Sequence, residues 1–141
     1  MSPGPIAATD TIVVGVDTSP ESIAALHWAA QLAWRTGVPL LAVHAEGLLE
    51  EGAFVPRVDV ARLVADELAS AGHKAEVTSL IEPGPPSETL MRVAKRAGAG
   101  HIIVGHRGVG ATGSDIGSTA MSLVSRSPVA VTVVRAVTPS T

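Results

Sequence analysis

Thr11-Ile-Val-Val-Gly-Val-Asp17 is a short, β-branched, almost unbroken apolar run that ends on a carboxylate. A strand of this kind lacks the alternation of a half-exposed one and reads as buried on both faces, the situation inside a parallel sheet covered by helices. Directly after it, Ser19-Pro20 supplies a helix N-cap and the one helical position where proline fits well. Ile23, Leu26, Ala30 and Ala33 then recur at helical spacing up to Gly37. The same unit repeats along the chain. Pro39–Ala45 (PLLAVHA) is a second buried strand, Glu46–Pro56 a loop, and Arg57–Ala71 a helix with Val60, Leu63, Val64, Leu68 and Ala71 on one stripe and Gly72 as its stop. Lys74–Ile81 (KAEVTSLI) is the third strand; Pro83-Gly84-Pro85-Pro86 turns the chain, and Ser87 caps a third helix that runs to Ala97. His101–Gly105 (HIIVG) is the fourth strand, a short helix starts near Ser118, and Pro128 stops it before a last strand over Val129–Arg135.

Strands alternating with helices, joined by connections long enough for crossovers, specify an α/β fold. Its form is a doubly wound, open five-stranded parallel sheet with right-handed connections and helices on both faces. Residues 11–136 carry these elements and form one domain between a flexible N-terminal tail, 1–10, and a C-terminal tail, 137–141. In such sheets ligands sit outside the carboxyl ends of the strands, where the winding direction reverses, so the loops after the first, second and fourth strands are the places to look.

Composition narrows the class of function. A chain of 141 residues is long enough to bury roughly 70% of the surface that its unfolded form would expose, so it needs no staple. Cysteine is absent, which removes disulfides, thiolate metal sites and cysteine nucleophiles together and suits a reducing compartment. Met1–Asp10 has neither the basic nor the apolar region of a signal peptide, and apolar runs such as Val129–Val134 are far short of the ~18 residues of a membrane span. A cytoplasmic protein without a membrane segment is the expectation. A formal charge of −3, with two Trp, one Phe and no Tyr, offers neither a basic field for phosphate backbones nor a row of rings for bases, which speaks against nucleic acid as a partner.

The loop after the fourth strand holds five glycines in the thirteen residues from Gly105 to Gly117 and runs straight into a helix that opens with Ser118-Thr119. Glycine lets backbone approach a ligand closely, and the free N–H groups and positive dipole end of the next helix favour an anion. The same composition also suits a flexible or dimer-forming loop. Gly108-Val-Gly-Ala-Thr-Gly113 spells the dinucleotide pattern G-x-G-x-x-G, but that motif belongs after a first strand with an acid ~20 residues on, and Asp115 is the last acid of the chain. A P-loop is excluded, because Gly113 is followed by Ser114-Asp115 and no lysine lies beyond Lys95.

The arrangement resembles the universal stress protein family, whose ATP-binding members carry G-2x-G-9x-G-[S/T] after the fourth strand and an aspartate at the end of the first. Matching phrases are Val14-Gly-Val-Asp17-Thr-Ser-Pro-Glu-Ser22, Leu41-Ala-Val-His-Ala45, Ile103-Val-Gly-His-Arg-Gly108, Gly117-Ser118 and Pro128-Val-Ala-Val-Thr-Val-Val134. The resemblance implies strand order 3-2-1-4-5. It places Val16 and Asp17 near the adenosine, Ala45 as the source of main-chain bonds to the adenine, and Gly105, Gly108, Gly117, Ser118 and Thr119 around the ribose and phosphates. One departure stands out: eight residues, not nine, separate Gly108 from Gly117. One residue is up to ~3.5 Å of chain, so either Gly110 and Gly113 let the loop tighten or the phosphate pocket is damaged.

Several residues keep two readings. Asp17 could simply favour the positive end of the following helix. Arg107 could meet a phosphate or be solvated. Asp115 is expected to point outward, though it could hold Mg²⁺ on a nucleotide. His44, His101 and His106 lack partners at ligand spacing, and no metal site built from protein ligands is expected. The valine-rich last strand, Val129–Val134, would be an exposed edge, and the family's usual homodimer, paired through this strand, would cover it. The expected function is therefore an ATP-binding, regulatory stress-response dimer acting on a downstream protein; the alternative is a nucleotide-free interaction module of the same fold. An enzyme is disfavoured, since there is no S-G-G-x-D-S signature after the first strand, no Walker lysine and no base near the loop other than His106.

Overall fold

In the computed structural model β1 (Ile12–Gly15) is sealed on both faces, as its unbroken apolar run requires. Ile12, Val14 and, just beyond the strand, Val16 join one core with Ala25, Leu26, Ala29 and Ala30, while Val13 joins another with Leu90, Val93, Ala120 and Leu123. The structure describes residues 10–46, 59–107 and 116–136. Both expected tails apart from Asp10, most of the Glu46–Pro56 loop, and Gly108, Gly110, Gly113 and Asp115 lie outside the described residues.

The remaining elements are α1 (Pro20–Thr36), β2 (Leu40–Glu46), α2 (Val60–Ser70), β3 (Val77–Pro83), α3 (Pro86–Ala97), β4 (His101–Gly105), α4 (Ser118–Arg126) and β5 (Ala130–Val134). All strand pairs are parallel and the order is β3-β2-β1-β4-β5, the doubly wound arrangement expected from the sequence. α1 and α2 supply the core on one face, and α3 and α4 supply it on the other. The buried face of α1 is alanine-rich (Ala25, Ala29, Ala30 and Ala33 around Leu26), which lets the helix lie close to the sheet. Its ends obey local chemistry: Ser19 caps the start, Pro20 takes the first turn, and Gly37 stops it at φ 70° with its N–H on the Ala33 carbonyl at 2.8 Å.

Element boundaries differ from expectation: β1 covers Ile12–Gly15 rather than Thr11–Asp17, β2 takes in Glu46 instead of Pro39, and β5 covers Ala130–Val134 rather than Val129–Arg135. β3 begins at Val77 rather than Lys74 and runs on to Pro83. It is an edge strand that pairs only with β2, so a proline at its end removes no needed donor. α3 has Pro85 as N-cap and Pro86 in its first turn, with no side-chain cap, so Ser87 lies inside the helix. α2 starts at Val60, where Asp59 accepts the Arg62 N–H at 3.1 Å, not at Arg57.

At the amino end of the sheet His101 meets the Thr132 hydroxyl at 2.6 Å, and burial pushes its pKa down. At the edge opposite β3 stands β5, and α4 beside it leaves Met121 and Val124 exposed. No helix among the described residues is long and apolar enough to cross a membrane.

Candidate functional site

The winding direction reverses between β1 and β4, so the crevice at their carboxyl ends is where a ligand is sought in this class of sheet. On the β1 side the chain makes a tight, internally bonded turn. Asp17 Oδ1 accepts the Ser19 N–H at 2.7 Å and also the Ser19 hydroxyl, the pattern of an Asx-turn. The buried Ser22 hydroxyl accepts the Asp17 N–H at 2.7 Å and donates to the Asp17 carbonyl at 3.0 Å, which fixes that residue's main chain. Asp17 Oδ2 has no hydrogen-bond partner among the described residues.

On the β4 side, Gly105 sits where α1 begins. A Cβ there would come within 2.6 Å of the Glu21 carbonyl carbon, so only glycine permits the helix start and the strand end to touch. Beyond it the His106 N–H bonds the Val134 carbonyl at 2.8 Å, and the His106 carbonyl takes the Gly117 N–H at 2.7 Å. The segment leaving β4 and the segment entering α4 are thus stitched side by side. The Arg107 guanidinium donates through Nη2 to Glu21 Oε1 at 2.8 Å, and its carbonyl lies 3.5 Å from the Ser19 hydroxyl. The Glu21 carboxyl is held below the usual range, first by its own main-chain N–H and then by Arg107.

α4 opens differently. Gly117 is its N-cap, no side chain caps its first turn, and the first intrahelical bond is from Met121 N–H to the Gly117 carbonyl at 2.9 Å. The hydroxyls of exposed Ser118 and half-buried Thr119 have no hydrogen-bond partner among the described residues. Unserved N–H groups, a positive dipole end and two free hydroxyls form an anion acceptor.

β2 contributes main chain. Val16 N–H bonds the Val43 carbonyl at 2.9 Å and Gly84 N–H bonds the Glu46 carbonyl at 3.1 Å, so alternate residues of β2 address β1 and β3. Ala45 falls on the β1 side, one step past the last β1 bond, and its N–H and carbonyl face the crevice. The Val16 carbonyl is occupied by His44, whose Nδ1 donates to it at 2.8 Å and so fixes the ring's tautomer.

The sequence profile of the universal stress protein family matches residues 8–135. The chain belongs to the universal stress protein family. A universal stress protein of Mycobacterium tuberculosis strain H37Rv is 32% identical over 150 residues, covering 85% of this chain and 47% of its own length. The chain therefore spans about half the length of the curated relatives it matches. Among solved structures, UspA from Lactobacillus plantarum is 25% identical with a TM-score of 0.70, covering 92% of this chain and 100% of that one. A universal stress protein in complex with cAMP is likewise 25% identical with a TM-score of 0.70, covering 91% of this chain and 98% of that one.

In this universal stress protein domain Val16, Asp17, Ala45, Gly105, Arg107, Gly117, Ser118 and Thr119 all stand at the carboxyl end of the sheet or at the start of α4. Gly108 lies outside the described residues. Two assignments gain a structural duty: Gly105 permits the contact with α1, and Arg107 is engaged by Glu21. Sequence reading gave no role to Glu21 or Ser22 and weighed His44 only as a metal ligand. The only local signal was their position, in the first turn of a helix for the first two and at the last turn of a strand for the third.

Proposed function

We propose that this protein binds an adenine nucleotide, ATP included, in the crevice between the ends of β1 and β4. Adenine would take main-chain bonds from Ala45 beside Val16, and the ribose would meet Asp17. The phosphates would lie on Gly117, Ser118 and Thr119, with Gly105, Arg107 and Gly108 shaping the floor. The observation that carries this reading is the uncapped first turn of α4 in the same crevice as an aspartate with one oxygen to spare. Support comes from the similar universal stress protein in complex with cAMP, an adenine nucleotide. Magnesium would be held by the nucleotide's own phosphates. The domain works as a nucleotide-dependent regulator of a downstream protein in the cytoplasm, an expectation in keeping with a chain that has no cysteine.

The regulator is a homodimer through the free side of β5. Supporting this are the edge position of that strand and the exposed Met121 and Val124 on the helix beside it. Relatives of about twice the length leave room for a second such domain in one chain.

The test is to denature fresh protein, identify any released nucleotide, and melt stripped protein with and without ATP or AMP. Ligand at about 100 times its Kd should add about 2.7 kcal/mol of stability. Folded dimer that releases nothing and melts unchanged would favour a nucleotide-free interaction module.

A further inference from the structure

β1 parts from β2 in the middle of the sheet, and a side chain marks the point of parting. In a parallel pair, a residue that donates to one neighbour accepts from the residue two places further along that strand. Val16 N–H donates to the Val43 carbonyl at 2.9 Å, so the next rung would run from the Ala45 N–H to the Val16 carbonyl. His44 Nδ1 takes that carbonyl instead, at 2.8 Å. β2 runs on regardless, paired with β3 through Ala45 and Glu46, and the half-buried Ala45 keeps an N–H with no partner among the described residues. On the far side of the same turn the Ser22 hydroxyl engages both main-chain groups of Asp17, at 2.7 and 3.0 Å. The end of β1 is thus held by side chains. A main-chain N–H inside a sheet normally takes its ladder partner, because leaving it unmet costs about as much as a lost bond. Here the acceptor has gone to an imidazole and the donor stays vacant.

From this exchange of partners, and resting on the reading of the crevice as an adenine-nucleotide site, we propose that His44 is a positioning residue. By occupying the Val16 carbonyl it stops the β1–β2 ladder one rung early and keeps the Ala45 N–H free for an acceptor nitrogen of the adenine ring. Without the imidazole donor the Ala45 N–H closes on the Val16 carbonyl, and the main-chain bond that orients the base is lost.

The experiment compares wild type, His44→Leu and His44→Asn, each stripped of nucleotide, by hydrogen exchange of the Ala45 amide and by calorimetric titration with AMP. Leucine keeps apolar bulk and has no donor; asparagine gives up bulk and keeps a short side-chain N–H donor. In wild type the Ala45 amide should exchange fast and be slowed by AMP. In His44→Leu it should already be slowed about tenfold without AMP, and AMP should bind about tenfold more weakly, the order of one net hydrogen bond. His44→Asn should restore both values. A role in packing alone predicts the reverse order, with leucine near wild type and asparagine impaired, and that result overturns the proposal. So does an Ala45 amide already protected in stripped wild type, a result that decides the matter even if His44→Leu fails to fold. Either outcome leaves the nucleotide site standing. A folded wild type that binds no AMP, while its Ala45 amide still slows in His44→Leu, overturns the nucleotide reading instead.

Discussion

Two helices begin at the same crevice, and their first turns are built in opposite ways. The start of α1 is closed by the protein itself: Ser19 caps it, Glu21 lies in its first turn, and Asp17 folds back on the Ser19 N–H. The start of α4 has glycine as its cap, no side-chain cap bond and two unpartnered hydroxyls among the described residues. Both helix ends carry the same positive dipole. Among the described residues, carboxylates stand at the start of α1 and unpartnered donors at the start of α4. Under the proposed function, the turn after β1 would hold the sugar end and the first turn of α4 the charge.

The largest effect expected is from Gly105→Ala, because the new methyl must displace the main chain of Glu21 rather than a movable side chain. Overpacking of this kind should cost about 3 kcal/mol, read as a lowered urea midpoint, and should separate the two helix starts. A silent substitution would mean that the two turns are not braced against one another. Ser22→Ala removes the hydroxyl that serves both the N–H and the carbonyl of Asp17. A loss of about 2 kcal/mol is expected, as for leaving buried polar groups unmet.

The smaller effects sharpen the contrast directly. Gly117→Asp would give α4 the closure that α1 has, and the φ of −67° there accepts any residue. Stability should rise by a few tenths of a kcal/mol while AMP affinity falls about tenfold. A variant that gains stability and keeps its affinity would show that the phosphate goes elsewhere. At the far end of the sheet, burial holds His101 below its ordinary range. The folded state resists its protonation, so stability is full above the unfolded-state pKa of about 6.5 and is lost as pH falls through the folded value. Urea midpoints measured from pH 7.5 to 5 should decline for wild type and flatten in His101→Gln, with nucleotide affinity at pH 7.5 unaltered.

The alternation of elements was legible because buried parallel strands are continuous apolar runs and helix starts carry local caps. Thr11–Asp17, Ser19-Pro20 and Gly37 each announce themselves within a few residues. β3 was misplaced by two or three residues, since Lys74-Ala-Glu76 alternates like a strand and Pro83 reads as a turn; only the position of β3 at the sheet edge lets proline end it. The candidate site was legible only as motif, in Asp17, Gly105 and Gly117-Ser118, which the structure brings to one end of the sheet. It was illegible where it depends on contact across the chain. The Glu21–Arg107 pair joins residues 86 apart, and the free face of Ala45 follows from where β1 stops. No local pattern encodes either.

The most direct test of the central contrast is an amide proton–nitrogen correlation spectrum of the stripped domain titrated with AMP. Large shifts of the Ser118 and Thr119 amides, with small ones at Glu21 and Ser22, are predicted. Shifts confined to the start of α1, or none at saturating AMP, would contradict the assignment of the phosphate to α4.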